Sequence, residues 1–398
     1  MQVDVAVVGA GGAGGSVLVQ LARRLTPGRE PPTVAVVDPE RKAGRDRTWC
    51  FWDEGSSAVD PAVHRAWGHA LLVDAAGREH RLDLAPLRYV MVRSQDFYAL
   101  ADEATARLGA QRVLAPADAV VDGEEFARVH TAAGTIRARW VLDSRPAAPR
   151  LPANTALLQH FRGWTVRFPV DALDASGPVL MDFSVAQPAR RRVGAGVAFG
   201  YVLPDDARTG LVEYTEFSRR RLADAEYDKA LAAYLDARYG NAGGYEVGEV
   251  EDGVIPMTDA VYARRVGRRV LRLGTAGGAT RASTGYTFAA MQRQAAHVAA
   301  ALMAGGPPDL PPAYPARHRW MDSVLLRALD GGLVDGPQLF TRLLLRNPPA
   351  RVLRFLDGRT SGIDDLHVMA TTPALPMARA TVADAVARAR RRLSATVR

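Results

Sequence analysis

A short apolar run, Val3 to Val8, breaks into Gly9-Ala10-Gly11-Gly12-Ala13-Gly14, and no other feature restricts the fold as strongly. The string matches G-x-G-x-x-G. Gly9 permits a tight turn, Gly11 lets the backbone approach a pyrophosphate, and Gly14 lets a following helix pack closely against the strand. A helical pattern runs from Ser16 to Leu25, TPGREPP turns the chain, and a second apolar run, Thr33 to Val37, closes on Asp38. Strand, glycine turn, helix, strand and acidic residue in that order predict a βαβ unit that holds a dinucleotide. Gly9, Ala10, Gly11, Ala13 and Gly14 would carry the pyrophosphate on free N–H groups at the helix N-terminus, and Asp38 would accept hydrogen bonds from the adenosine ribose. A carboxylate there disfavours a 2′-phosphate, so FAD or NAD is expected rather than NADP. An ordinary glycine-rich turn is the competing reading.

The rest of the chain extends this α/β start. Short apolar runs recur at Ala70–Val73, Tyr89–Val92, Arg128–Thr131 and Trp140–Leu142, with a helix over Ser94–Leu108. From Thr155 to Phe217 short apolar runs alternate with Gly, Pro and charge, as antiparallel strands do. Helix periodicity returns at Asp224–Tyr239; a strand at Arg269–Leu273 then leads into GTAGGATRASTGYTF and a helix over Ala289–Met303. Residues 1–150 and 245–305 are therefore expected to form a discontinuous Rossmann-like domain, 151–244 a β-sheet substrate or cap domain, and 306–398 a helical C-terminal region. No stretch approaches the roughly 18 uninterrupted apolar residues of a membrane-spanning helix. The first run lacks a basic flank and meets glycine quickly, so it reads as a strand rather than a signal peptide.

The second glycine segment, Gly274-Thr275-Ala276-Gly277-Gly278, chooses between FAD and NAD. A flavin needs contacts far from its adenine, and a turn between strand and helix would direct N–H groups at flavin O2 and N1, where negative charge collects on reduction. FAD is the expected cofactor, with Thr284, Gly285 and Tyr286 following at its ring end; a tight turn without ligand contact is the alternative. The lone Cys50 excludes a disulfide framework and a thiolate metal site, which fits a reducing compartment such as the cytoplasm. The net charge of +8 is almost all arginine, but no basic stripe with interleaved aromatics accompanies it, so no nucleic-acid partner is expected.

RTWCFW (Arg47–Trp52), QHFRGW (Gln159–Trp164), MDFSV (Met181–Val185), VEYTEFS (Val212–Ser218), GVIPMT (Gly253–Thr258) and GTAGGATRASTGYTF (Gly274–Phe288), in this order, resemble the flavoprotein lycopene cyclases of carotenoid-making bacteria and plants. The resemblance covers about residues 3–370. It implies a flavin-hydroxylase type of fold and bound FAD kept reduced by NADPH or another electron donor. It also implies conversion of the acyclic ψ ends of lycopene and related acyclic carotenoids into β-ionone rings without net redox change. Glu213 matches the first glutamate of the family's motif, to which proton transfer is assigned. Flavin hydroxylases usually carry an Asp where this chain has Thr275, which leaves the ribityl contact open. An FAD-dependent monooxygenase and an isoprenoid reductase are the alternatives that share such a fold.

Cyclising a polyene end requires a proton donor, a cation that survives until the ring closes, and a base. A carboxyl kept protonated by an apolar pocket suits the first task. On a strand, Glu213 and Glu216 would face opposite sides, so only one could enter a pocket. A solvated charge on an edge strand is the plainer reading of Glu213. His160 is either a proton relay or a core histidine, and Asp182 either orients a neighbouring group or faces solvent. Arg47 could contact the flavin while Trp49, Phe51 and Trp52 supply flat surface for a polyene, or they form an ordinary aromatic core. Tyr286 and Phe288 are candidate walls beside the flavin.

A bilayer-dwelling substrate implies peripheral docking on the inner face of the cell membrane. In Gln338–Leu356, apolar Leu339, Phe340, Leu343, Leu344, Val352, Leu353, Phe355 and Leu356 interleave with Arg342, Arg346, Arg351 and Arg354. That pattern suits an interfacial anchor, and equally a helix pair packed on the protein's own core.

Overall fold

The structure, a computed structural model, describes residues 1–146, 151–188 and 196–396. The expected domain boundary at 150 lies outside them.

The first sheet is built as the glycine turn requires. Gln2–Val8 lies between Val34–Asp38 and Gly134–Asp143, parallel to both, with Val8 opposite Val37 on one side and Asp143 on the other. Gln111–Leu114 extends one edge, Val270–Arg272 adds in parallel beside Gly134–Asp143, and the antiparallel Ala127–Thr131 and Ala119–Val121 finish the other edge. Helices Gly12–Ala22, Ser94–Arg107 and Phe288–Met303 cover one face, burying Val5, Val7, Leu18, Leu21, Val36, Val298 and Leu302 in one core. Burial on both faces explains why the first two strands read as unbroken apolar runs. The first helix begins inside the glycine run, at Gly12, because unsubstituted residues let its first turn sit directly on the strand end.

The second sheet runs in the order Glu246–Thr258, Ala156–Arg167, Thr209–Ser218, Val197–Pro204, Val179–Asp182, His69–Val73, Glu79–Asp83. Neighbours are antiparallel except Val179–Asp182 with His69–Val73. Both ends of this sheet come from segments assigned by sequence order to the Rossmann-like part. Strands pair wherever an open edge offers unmatched N–H and C=O groups, whatever their place in the chain. Helix Asp224–Tyr239 covers one face through Tyr227, Leu231, Tyr234 and Leu235. The other face meets a small sheet of Thr48–Asp53, Arg88–Arg93 and Val63–Trp67, together with the C-terminal helices.

The C-terminal region is helical, over Ala316–Asp330, Gly336–Leu345, Pro349–Leu356, Gly362–Ala370 and Ala374–Thr396. Asp335 and Ser361 cap two of these by accepting from the N–H groups of Gln338 and Asp364. Leu339, Phe340, Leu343, Leu344, Val352 and Leu353 are buried in a core shared with Leu72, Tyr89, Phe183 and Phe217, so the apolar stripe of Gln338–Leu356 faces the protein's own interior. No helix among the described residues is long and apolar enough to cross a membrane.

Candidate active site

The glycine turn forms an open cradle at the carboxyl ends of the first sheet's strands. Gly9 holds φ +88°, and a side chain on Gly14 would run into the Gly9 carbonyl, whereas the side-chain direction of Gly11 is empty. No side chain caps the Gly12–Ala22 helix, so its first N–H groups face that space. Asp38, buried at the end of the second strand, accepts from the Ala10 N–H at 2.7 Å and the Glu40 N–H at 3.2 Å. These are the features a dinucleotide pyrophosphate needs: bare backbone, unpaired N–H groups and room. A shallow cavity of about 450 Å³ lined by Gln2, Asp4, Thr33 and Arg269 lies at the opposite strand ends, where open α/β sheets do not hold ligands.

The second glycine segment folds against the first. Gly274 (φ +61°) approaches so closely that a side chain there would meet the Ala13 methyl at 2.9 Å. Gly274–Gly277 is a single 3₁₀ turn ended by left-handed Gly278, and the following helix starts only at Phe288. Ala276 and Gly277 are buried; Thr275 is exposed, its hydroxyl bonded to Thr280. Thr284 accepts from the Tyr286 N–H, and Gly285 (φ +72°) abuts the Gln159 side chain, which brings the segment onto the second sheet. Beneath it the fully buried Arg281 pairs with Asp322 and donates to the Phe355 carbonyl, fixing the segment to the C-terminal helices.

Thr48–Asp53 is a strand, and its alternation divides the aromatic candidates between two places. Trp49 and Phe51 point to the nucleotide side, where Trp49 stacks on Phe288 at 5.0 Å and Phe51 lies 5.4 Å from Phe288. Cys50 and Trp52 point the other way, toward the second sheet, with Trp52 edge-on to Tyr286 at 4.6 Å and beside Tyr89. Arg47 is largely exposed and pairs with Asp46.

Across the second sheet, Glu251, Gly163, Glu213 and Tyr201 stand opposite one another on neighbouring strands, and so on one face. Glu213 lies on a central strand and is only 7% exposed. Burial, reinforced by the charge of Glu251, pushes its carboxyl well above the usual carboxylate range. Phenols gather beside it: the Tyr89 hydroxyl bonds to that of Tyr201 at 2.7 Å and lies 3.3 Å from that of Tyr286. Burial also pushes the Cys50 thiol up; the nearby carboxyls of Glu213 and Glu251 add to that rise, and hydrogen bonding with Tyr201 and Tyr89 opposes it. A neutral carboxyl among phenol and indole rings can protonate an apolar substrate, and ring faces can stabilise the resulting cation.

His160, Glu216 and Asp182 occupy the opposite face, under helix Asp224–Tyr239. His160 pairs with Glu216 across the strands and is fully buried between the Tyr227 hydroxyl at 2.6 Å and the Ser218 hydroxyl at 2.8 Å. Burial, with the Arg221 charge, lowers its pKa to about 4. Asp182 is fully buried, accepting from the Tyr234 hydroxyl and from the N–H and hydroxyl of Ser184, with Arg238 at 3.3 Å. The sheet separates all three from Glu213. Glu251, Gly163 and Tyr201 were not singled out from sequence. Only knowledge of which strands pair puts them beside Glu213.

The fold is shared with flavin-dependent enzymes. A geranylgeranyl bacteriochlorophyll reductase-like protein from Thermoplasma acidophilum superposes with TM-score 0.63 at 13% identity, covering 95% of this chain and 98% of that one. The p-nitrophenol 4-monooxygenase of Pseudomonas putida gives TM-score 0.60 at 16% identity over 96% and 97%. A flavin-dependent monooxygenase solved with FAD and substrate gives 0.60 at 13% over 96% and 72%. No curated protein matches the sequence. The model of the family described as lycopene cyclase protein matches residues 4–382, nearly the whole chain. The chain therefore belongs to the lycopene cyclase protein family.

Proposed function

We propose that this protein is a lycopene β-cyclase, closing the acyclic ψ ends of lycopene and related acyclic carotenoids into β-ionone rings without net redox change. The observation that carries this reading is Glu213: a carboxyl buried on a central strand, where burial opposes its ionisation, facing aromatic side chains on a chain of this family. Glu213 donates its proton to C2 of the ψ end, the neighbouring double bond closes on the cation at C1, and the proton lost from C6 returns to Glu213. Trp52, Tyr89, Tyr201 and Tyr286 exclude water and offer ring faces to the cation. FAD fits the two apposed glycine segments, where Gly9, Gly11, Gly14 and the Gly12–Ala22 helix N-terminus would hold its pyrophosphate and Gly274–Gly278 would lie nearer its ring. Bound there in its reduced form, kept so by NADPH or another donor, FAD would supply negative charge that stabilises the cation. The substrate's insolubility sets the work at the cytoplasmic face of the cell membrane, with the protein docked peripherally.

The test is anaerobic incubation with reduced FAD and lycopene-loaded liposomes, followed by chromatography. Ring products without stoichiometric consumption of reductant are expected, and Glu213→Gln should retain FAD yet lose at least about 10²-fold in rate. The reductase-like neighbour makes saturation the second reading to watch. Saturated products with reductant consumed at each turnover, or hydroxylated products that require oxygen, would overturn the cyclase assignment.

A further inference from the structure

We propose that Glu251 is a positioning residue that keeps Glu213 protonated: its carboxylate faces Glu213 across the bare backbone of Gly163, and its negative charge opposes ionisation of Glu213. The inference rests on the reading of Glu213 as proton donor and adds a second carboxylate to that site.

The strand register brings the two together. Gly163 lies directly between Glu251 and Glu213, and the Glu213 side chain leans over it, with Cγ 2.8 Å from where a Gly163 side chain would begin. The two carboxyls have unlike surroundings. Glu251 accepts from the Thr48 N–H at 2.8 Å on one oxygen and from the Thr48 hydroxyl at 2.9 Å on the other. Burial raises its pKa, while the Thr48 donors and the charges of Arg45 and Arg47 act against that rise. Among the described residues, neutral groups face Glu213 instead: Tyr201 opposite it on the next strand, and Cys50 and Tyr286, with Tyr89 behind them bonded to both phenols, all kept neutral by burial. When two carboxyls share a site, the one with donors and cations ionises first, and its charge holds the proton on the other. During turnover the O–H bond of Glu213 breaks as the C2–H bond forms, and it re-forms as the C6–H bond breaks. Glu251 neither gains nor loses a proton.

Infrared titration of the full-length protein reads this without substrate. The protonated-carboxyl band that disappears in Glu213→Gln marks Glu213. In Glu251→Gln its midpoint should move to lower pH, corresponding to at least about tenfold weaker proton affinity, whereas Glu251→Asp, which keeps the charge, should stay close to wild type. Thr48→Val, a milder change that removes only the hydroxyl donor, should shift it in the same direction by less, and serves if Glu251→Gln does not fold. The alkaline limb of kcat should move with the midpoint. An unmoved midpoint in Glu251→Gln and Thr48→Val, or a band that belongs to Glu251 instead, would overturn the proposal. A moved midpoint in a protein that forms no rings would support it while overturning the cyclase reading.

Discussion

Gly163 shows how little a residue needs to carry in order to matter. Its lack of a side chain lets Glu213 fold over the strand, with Leu211 filling the remaining space, 3.0 Å from the same point. Gly163→Ala should push the carboxyl aside by a fraction of a side-chain length. Displacements near 1 Å cost about 10²-fold in rate, so kcat should fall by tenfold to a hundredfold while FAD content, read from flavin absorbance, stays at wild type. Wild-type turnover in that variant would mean the lean over Gly163 has no part in catalysis. The carboxyl was legible as a residue type, because strand parity lets only one glutamate of VEYTEFS enter a given pocket; in the fold both are buried, Glu213 on one face and Glu216 on the other. Its partner was not: Glu251 sits in a strand whose EVGEVED start reads as a charged, solvated edge.

Among the elements, the periodic helices and the antiparallel strands between Thr155 and Phe217 were legible, and the strands Thr48–Asp53 and Glu246–Thr258 were not. Thr48–Asp53 is absent from the strands expected from the sequence because both of its faces are apolar, which removes the alternation that marks a half-buried strand. Glu246–Thr258 contains Pro256, which is tolerated because the strand lies at the sheet edge. Gln338–Leu356 has the pattern of an interfacial anchor, but its stripe is taken up by the core. Among the exposed apolar side chains of the described residues, one group lies on the next helix and just beyond it: Ile363 at 69%, Leu366 at 66%, Met369 at 38% and Leu375 at 64%. Arg359 and Arg379 are exposed near the two ends of that stretch. On the proposed reading this is the surface that meets an anionic bilayer. Replacing Ile363, Leu366 and Leu375 together by Asp should abolish pelleting with anionic liposomes and leave thermal stability nearly unchanged, since these side chains are already in water. Undiminished pelleting would reject this face.

For the whole molecule, pH acts through buried groups of opposite sign. His160 and His318 are both lowered from 6.5 to about 4, chiefly by burial. The folded protein keeps them neutral where the unfolded chain takes up protons, so their contribution is fully present above pH 6.5 and is lost progressively as pH falls toward 4. The raised carboxyls of Glu213 and Glu251 act in reverse, adding stability at low pH that is lost as pH rises above the ordinary glutamate value. Wild-type Tm alone mixes the two. The difference between wild type and His160→Gln isolates one, and the wild-type advantage should shrink between pH 6.5 and 4; an advantage constant across that window would show that His160 is protonated in the fold.

By itself the sequence determined the nucleotide cradle, because a G-x-G-x-x-G turn between strand and helix is a local conformational demand that glycines meet within a few bonds. It also determined the family, through strings kept in order along the chain, and the parity that puts Glu213 and Glu216 on opposite faces. Tertiary structure alone decided which residues surround Glu213. Glu251, Tyr201, Cys50, Tyr89 and Tyr286 come from five separated segments, and only inter-strand register and the packing of one sheet on another bring them together. It also decided the charge state of the acid, since desolvation depends on everything that packs around a group and not on its neighbours in the chain.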